Sequence, residues 1–225
     1  MQILIKICLI ISKKQRKISK NGEKMNILVI KSSVNEKKGS YSSHLTDLFI
    51  KFYLEIHPED QIEVYDLNQF GLANTNLTMK NFEDKTFYQK AESDFWINKL
   101  RNADKIVFST SMTNFNYSAT TKNFFDAITV PNKTFLLDKN TGKYTGLLKN
   151  IQNVQILTAQ GAPLGWYPFG NHSALIKQIF EFLGANVRSD FFVLDGTKVA
   201  PNNQKPIADF VAQRQNQIKI LAENF

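Results

Sequence analysis

From Asn26 onward the apolar positions fall into two alternating patterns. Short, nearly unbroken apolar runs read as strands buried on both faces of a parallel sheet. Spacings of three and four residues read as helices with one buried face. Asn26–Lys31 (NILVIK) predicts the first strand, and a polar loop, Ser32–Gly39, follows it. Over Ser40–His57 the residues Leu45, Leu48, Phe49, Phe52 and Ile56 share a helical face, and Pro58 ends the helix. Gln61–Leu67 predicts a second strand; Phe82–Arg101 predicts a helix whose buried stripe is Phe87, Ala91, Phe95 and Leu100. Asp104–Thr110 is a third strand, Thr120–Thr129 a helix, and Asn153–Thr158 a fourth strand. Between them, Thr134–Leu147 sets two short apolar arms around Asn140-Thr141-Gly142, the pattern of a β-hairpin. His172–Leu183 predicts a helix capped by Gly184, Asn186–Leu194 a fifth strand, and Pro206–Asn224 a closing helix. Alternating strands and helices imply right-handed βαβ units. The fold expected is therefore α/β: a doubly wound, five-stranded parallel sheet with helices on both faces and a β-hairpin excursion.

The chain before Asn26 does not share this pattern. Residues 1–11 are apolar around Lys6, and seven basic residues stand against Glu23 alone up to Lys24. That apolar stretch is shorter than the roughly 20 residues a spanning helix needs. Its charges follow the apolar run instead of preceding it, unlike a secretory signal. Residues 1–24 are expected to be a basic extension outside the fold, and 25–225 the domain. Of the +8 formal charge, +6 sits in the extension, so the body is nearly neutral. A neutral body gives no concentrated basic face for nucleic acid, and no stable membrane insertion is expected. One cysteine, Cys8, excludes a disulfide scaffold, and three scattered histidines make no metal site.

Ligands of open α/β sheets bind beyond the carboxyl ends of the strands, where the strand order reverses. The loop after the first strand carries Ser32, Ser33, Ser40 and Ser42 at the entry to a helix. Hydroxyls and free N–H groups at a helix N-terminus suit a phosphate; equally, Ser40 or Ser42 caps the helix. No G-x-G-x-x-G, no P-loop and no G-x-S-x-G elbow is present, which disfavours a dinucleotide fold, a P-loop NTPase and an α/β-hydrolase. After the third strand, Met112-Thr113-Asn114-Phe115-Asn116 mixes apolar groups with amides, as packing against a heteroaromatic ring requires. After the fourth, Ala159-Gln160-Gly161-Ala162 is small enough for the backbone to approach a flat ligand. His172 is the titratable candidate near these loops for assisting protonation, against a plain helix-entry role.

These segments resemble the FMN-dependent NADH-azoreductases, also described as NADH:quinone oxidoreductases, of flavodoxin-like fold. The matching parts are KSS at 31–33, S-x-S at 40–42, M-x-N-F-N at 112–116, Lys122-Asn123-Phe124-Phe125-Asp126, and the TF…TG stretch at 134–146. The resemblance implies FMN held through its phosphate by Ser33, Ser40, Tyr41 and Ser42. It implies ring contacts from Met112, Thr113, Asn114 and Phe115, and from Ala159, Gln160, Gly161 and Ala162. It further implies a cytoplasmic homodimer with no side-chain catalytic residue. In that reading NADH passes two electrons to a quinone or an azo compound by a ping-pong mechanism. The chain departs from the family at Thr113, usually Tyr; at Gln160, usually Arg; and at Leu137, usually aromatic. A non-enzymatic electron carrier resembling flavodoxin is the competing reading. Flavodoxins are strongly acidic, and this body is not.

Overall fold

Every residue of the first strand is flanked by sheet and its apolar side chains alternate between two cores, which is why NILVIK reads as an unbroken run. A computed structural model describes residues 24–35, 39–188 and 190–225; residues 1–23 of the expected extension lie outside them. In chain order the strands are β1 (Asn26–Lys31), β2 (Gln61–Asp66), β3 (Lys105–Ser111), β4 (Phe135–Leu137), β5 (Tyr144–Gly146), β6 (Asn153–Ala159) and β7 (Phe192–Leu194). The helices are α1 (Tyr41–Ile56), α2 (Met79–Glu83), α3 (Thr86–Lys90), α4 (Ser93–Asn102), α5 (Ala119–Ile128), α6 (His172–Phe182), α7 (Ile207–Ala212) and α8 (Gln215–Asn224).

Five strands form one parallel sheet in the order β2-β1-β3-β6-β7. The chain first winds outward from β1 to β2, then returns to the other side of β1, so the order reverses between β1 and β3. This is the flavodoxin-like order, and it puts a crevice at the carboxyl ends of β1 and β3. Leu28, Ile30, Ile106, Phe108, Val154 and Ile156 face one core, which Trp96 of α4 and Phe124 and Phe125 of α5 complete. Ile27, Val29, Val107 and Leu157 face the other, beneath Phe49 and Tyr53 of α1 and Phe210 and Ile218 of α7 and α8. The antiparallel β4–β5 pair is the expected hairpin. Its turn is held by the Asp138 carboxylate, which accepts the N–H groups of Asn140 and Thr141, and by Gly142 at φ 68°.

Three expected elements are corrected. Phe82–Arg101 is not one helix: Lys85 and Glu92 adopt left-handed backbone and break it into α2, α3 and α4. Fifth-strand pairing spans only Phe192–Leu194, because the Arg188 N–H goes to the Asn153 side chain and not to a ladder carbonyl. The closing helix is divided at Gln213-Arg214, which turns both halves onto α1. The Gly184 cap is found as expected. At φ 97° it lets Ala185 N–H reach the Phe180 carbonyl, and it leaves room for Gly146, whose own Cβ would lie 2.2 Å from the Gly184 nitrogen.

Candidate functional site

The reversal of strand order brings four loops together, and buried hydroxyls fix the first of them. Ser32 donates to the Ser109 carbonyl and shares a 2.7 Å hydrogen bond with Thr121 Oγ1, while Ser118 donates to the Ser32 carbonyl. Ser109 in turn donates to the Ser42 carbonyl. The end of β1 and the start of α1 are thereby tied to β3 and α5 through groups that would each be costly to bury unpaired. Ser40 is the α1 cap: its hydroxyl accepts the Ser43 N–H at 3.2 Å and lies 3.2 Å from Ser42 Oγ. The N–H groups of Tyr41 and Ser42, in the first turn of a 16-residue helix, have no partner among the described residues.

After β3 the backbone makes a tight turn closed by two hydrogen bonds, Thr113 N–H to the Asn116 carbonyl at 2.6 Å and the reverse at 3.2 Å. Asn114 (φ 48°) and Phe115 (φ 72°) occupy its two central positions in left-handed backbone. Such a conformation costs a non-glycine residue about 1–2 kcal/mol, and it leaves the Asn114 and Phe115 N–H groups outside the turn's own bonds. The loop after β6 is stitched to the one after β7. Thr197 donates to the Gln160 carbonyl through both N–H and hydroxyl, Lys198 N–H reaches the Gly161 carbonyl, and Gly196 N–H the Ala162 carbonyl. The Gln160 amide is turned inward and donates to the Ala162 carbonyl at 2.9 Å.

Two cavities, about 240 and 340 Å³, open among these loops. Ser33, Tyr41, Ser42, Met112, Thr113, Asn114, Ala159, Gln160 and Gly161 line the first, so most of the expected site residues converge on it. Phe115 and Ala162 line the second, with Trp166 and Tyr167; Met112, Asn114, Gly161 and Lys198 border both. Ser40 lines neither and caps α1. Small-ligand sites usually hold about 300–1,000 Å³, a size the two reach together. No carboxylate lines either among the described residues. Hydroxyls and free N–H groups gather at one end, and Phe115, Tyr167 and Phe169 pack edge to face at the other. An anion at the first end and a flat ring at the second fit this donor set.

The sequence reasoning missed Thr197 and Lys198, although Asp195-Gly196 directly after an apolar run marks one more strand-end turn. Val34 and Asn35, of the polar loop after β1, also line the first cavity. His172 is not at the site: it is buried at the start of α6 and lines neither cavity. Burial pushes its pKa down to about 4, so it is in the neutral form at physiological pH. Leu137 lies on the hairpin, outside both linings.

A family model described as flavodoxin-like fold matches residues 25–218. An FMN-dependent NADH:quinone oxidoreductase of Mesomycoplasma hyopneumoniae strain J is 99% identical over 201 residues, 89% of this chain and 100% of that protein. The enzyme of the same description from Malacoplasma penetrans is 42% identical over 200 residues, 88% of this chain and 92% of that protein. Among solved structures, an azoreductase from Bacillus anthracis superposes with a TM-score of 0.74 at 19% identity, covering 89% of this chain and all of the other. That likeness bears on the fold.

Proposed function

The chain belongs to the flavodoxin-like-fold family, and from that premise we propose that it is an FMN-dependent oxidoreductase passing two electrons from NADH to quinones, azo compounds or both. The observation that carries this reading is a cavity with phosphate-type donors at one end and no carboxylate among its described lining residues, in a chain 99% identical to an FMN-dependent NADH:quinone oxidoreductase. Bound FMN supplies the two-electron chemistry. The protein supplies position: Ser33, Ser42 and the N–H groups of Tyr41 and Ser42 take the phosphate, and the two strand-end loops clasp the ring. Donor and acceptor share the aromatic-lined cavity bordered by Phe115, Trp166 and Tyr167, beside the cofactor end. They therefore take turns, which is the ping-pong order; parallel double-reciprocal plots against NADH and quinone are the expected kinetics. Purified protein should show flavin absorption bands, and the released flavin should be FMN by mass. FAD as the sole species sinks this reading. Bound FMN that NADH cannot reduce would favour the electron-carrier alternative.

Ser42→Ala is expected to weaken FMN binding by about 10- to 100-fold, because a hydrogen bond to a charged group contributes about 1.5–3 kcal/mol. Ser40→Ala should instead lower unfolding stability by about 1 kcal/mol through the lost cap. Fluorescence titration of the apo-protein with FMN, beside urea unfolding, separates the two. If Ser42→Ala binds FMN as the unaltered protein does, the serine loop is a helix cap only.

The homodimer belongs to the same proposal. Between α5 and α6 an apolar groove of about 280 Å³ runs past Tyr117, Phe125, Ile179 and Phe182, a surface suited to a second copy; sedimentation tests it. Among the described residues no helix is long and apolar enough to cross a membrane, which supports assignment to the cytoplasm. We also assign residues 1–24 to an extension outside the domain, since β1 begins at Asn26 and the family match at residue 25. Deleting them should leave NADH-dependent quinone reduction unchanged. Loss of flavin or of cooperative unfolding in the truncated protein would put the boundary elsewhere.

A further inference from the structure

We propose that Lys198 sets the charge at the ring end of the cofactor cavity, so that FMN holding two electrons is bound more tightly than oxidised FMN. The inference rests on the FMN reading above. Lys198 follows β7 in a turn fastened to the loop after β6, its N–H bonded to the Gly161 carbonyl at 3.0 Å. Its stem lies along Gly161: a Cβ on that glycine would sit 2.9 Å from Lys198 Cδ and 3.1 Å from Cγ. A side chain at 161 would make the stem shift from this path. The residue borders both cavities, and among the described residues it is the one charged side chain lining either. Among the described residues no acidic side chain lines either cavity opposite it. The nearest acid in its own turn, Asp195, accepts the Leu164 N–H and lines neither cavity.

An ammonium with no carboxylate beside it among the described lining residues is an electrostatic asymmetry with a direction. The flavin ring gains negative charge when it takes up two electrons at neutral pH, and the phosphate does not change. A fixed positive charge beside the ring therefore favours the reduced cofactor and raises its midpoint potential. Gln160 cannot act in this way, being neutral and committed to the Ala162 carbonyl. An ammonium placed at the phosphate would attract both redox states equally, which distinguishes the two positions experimentally.

The test is potentiometric titration of the FMN-loaded protein and of its Lys198→Met and Lys198→Arg variants, with FMN affinity of each apo-protein read by fluorescence quenching. Methionine keeps a stem over Gly161 and removes the charge. The expected result is a tenfold weaker relative hold on reduced FMN in Lys198→Met, which for two electrons is a midpoint about 30 mV lower. Lys198→Arg should restore the original potential. An unchanged potential in the methionine variant overturns the proposal. So does equal weakening of oxidised and reduced FMN, which assigns the ammonium to the phosphate. Failure of the unaltered protein to bind FMN overturns the underlying reading instead, and is seen before any variant is compared.

Discussion

Ser42→Asp is expected to yield a folded protein that does not retain FMN. The substitution acts to different degrees on the two equilibria. Ser42 is the second residue of α1, and its N–H has no partner among the described residues. A carboxylate in a first helical turn faces the positive end of the helix dipole, which offsets part of the cost of placing a charge at a position that is 1% exposed. In the cavity the same carboxylate replaces a hydroxyl donor, forfeiting about 1.5–3 kcal/mol of hydrogen bonding to a charged group. It also opposes the phosphate, with a repulsion of about 4 kcal/mol for unit charges 4 Å apart at an effective dielectric of 20. Together these exceed three tenfold steps in affinity at about 1.4 kcal/mol each. Purified Ser42→Asp should be colourless while unfolding cooperatively, and Ser42→Asn, similar in size but uncharged, should keep more of its flavin. Full FMN occupancy in the aspartate variant would mean that the phosphate lies elsewhere.

Legibility of the fold followed burial. β1, β3 and β6 are covered on both faces, so their runs are largely apolar and stand out in the sequence within a residue of their observed ends. α1 was legible because one face is buried and Pro58 stops it. The region 82–101 was not, because its breaks fall at Lys85 and Glu92, ordinary residues in left-handed backbone with no glycine or proline to mark them. Tertiary packing fixes them there: the Gly71 turn fits so closely on the end of α3 that a Cβ would lie 2.7 Å from the Lys90 carbonyl oxygen. β6 was readable to within a residue at both ends, whereas β7 was read with the right end, Leu194, but too early a start, because the backbone before Phe192 bonds to the Asn153 and Gln155 side chains.

The site divides in the same way. Loops directly after readable strands could be located, and their residues line the two cavities. What could not be read is contact between loops distant in sequence. Thr197 reaches Gln160 only because β7 lies beside β6, a neighbour relation that no local pattern encodes. Ser40 shows the opposite limit. Its residue type suits a phosphate and a helix cap equally, and the 3.2 Å contact from the Ser43 N–H, which shows the cap, is not visible in the sequence. The aromatic rim, with Phe169 72% exposed, was indistinguishable by composition from the many buried phenylalanines.

Acidification from pH 7 to pH 4.5 is expected to remove about 2–3 kcal/mol of stability through His172 alone. The side chain is buried at the first turn of α6, and its Nε2 has no hydrogen-bond partner among the described residues. Burial disfavours the imidazolium and lowers the pKa from 6.5 to about 4. The unfolded chain binds the proton at the higher pKa, so below pH 6.5 it is stabilised relative to the native state. The contribution of neutral His172 is complete above that pH and is lost as pH falls toward 4. At about 1.4 kcal/mol per pKa unit, most of the effect has appeared by pH 4.5. Urea unfolding of the unaltered protein and of His172→Gln at both pH values isolates it, because every other titrating group cancels in the difference. The variant should lose about 2–3 kcal/mol less on acidification; equal losses would show that His172 can take up its proton without opening the core. The same neutrality separates stability from chemistry. A histidine buried away from both cavities contributes no step to quinone reduction between pH 6 and 8, so in that range the acid sensitivity of His172 belongs to the fold and not to turnover.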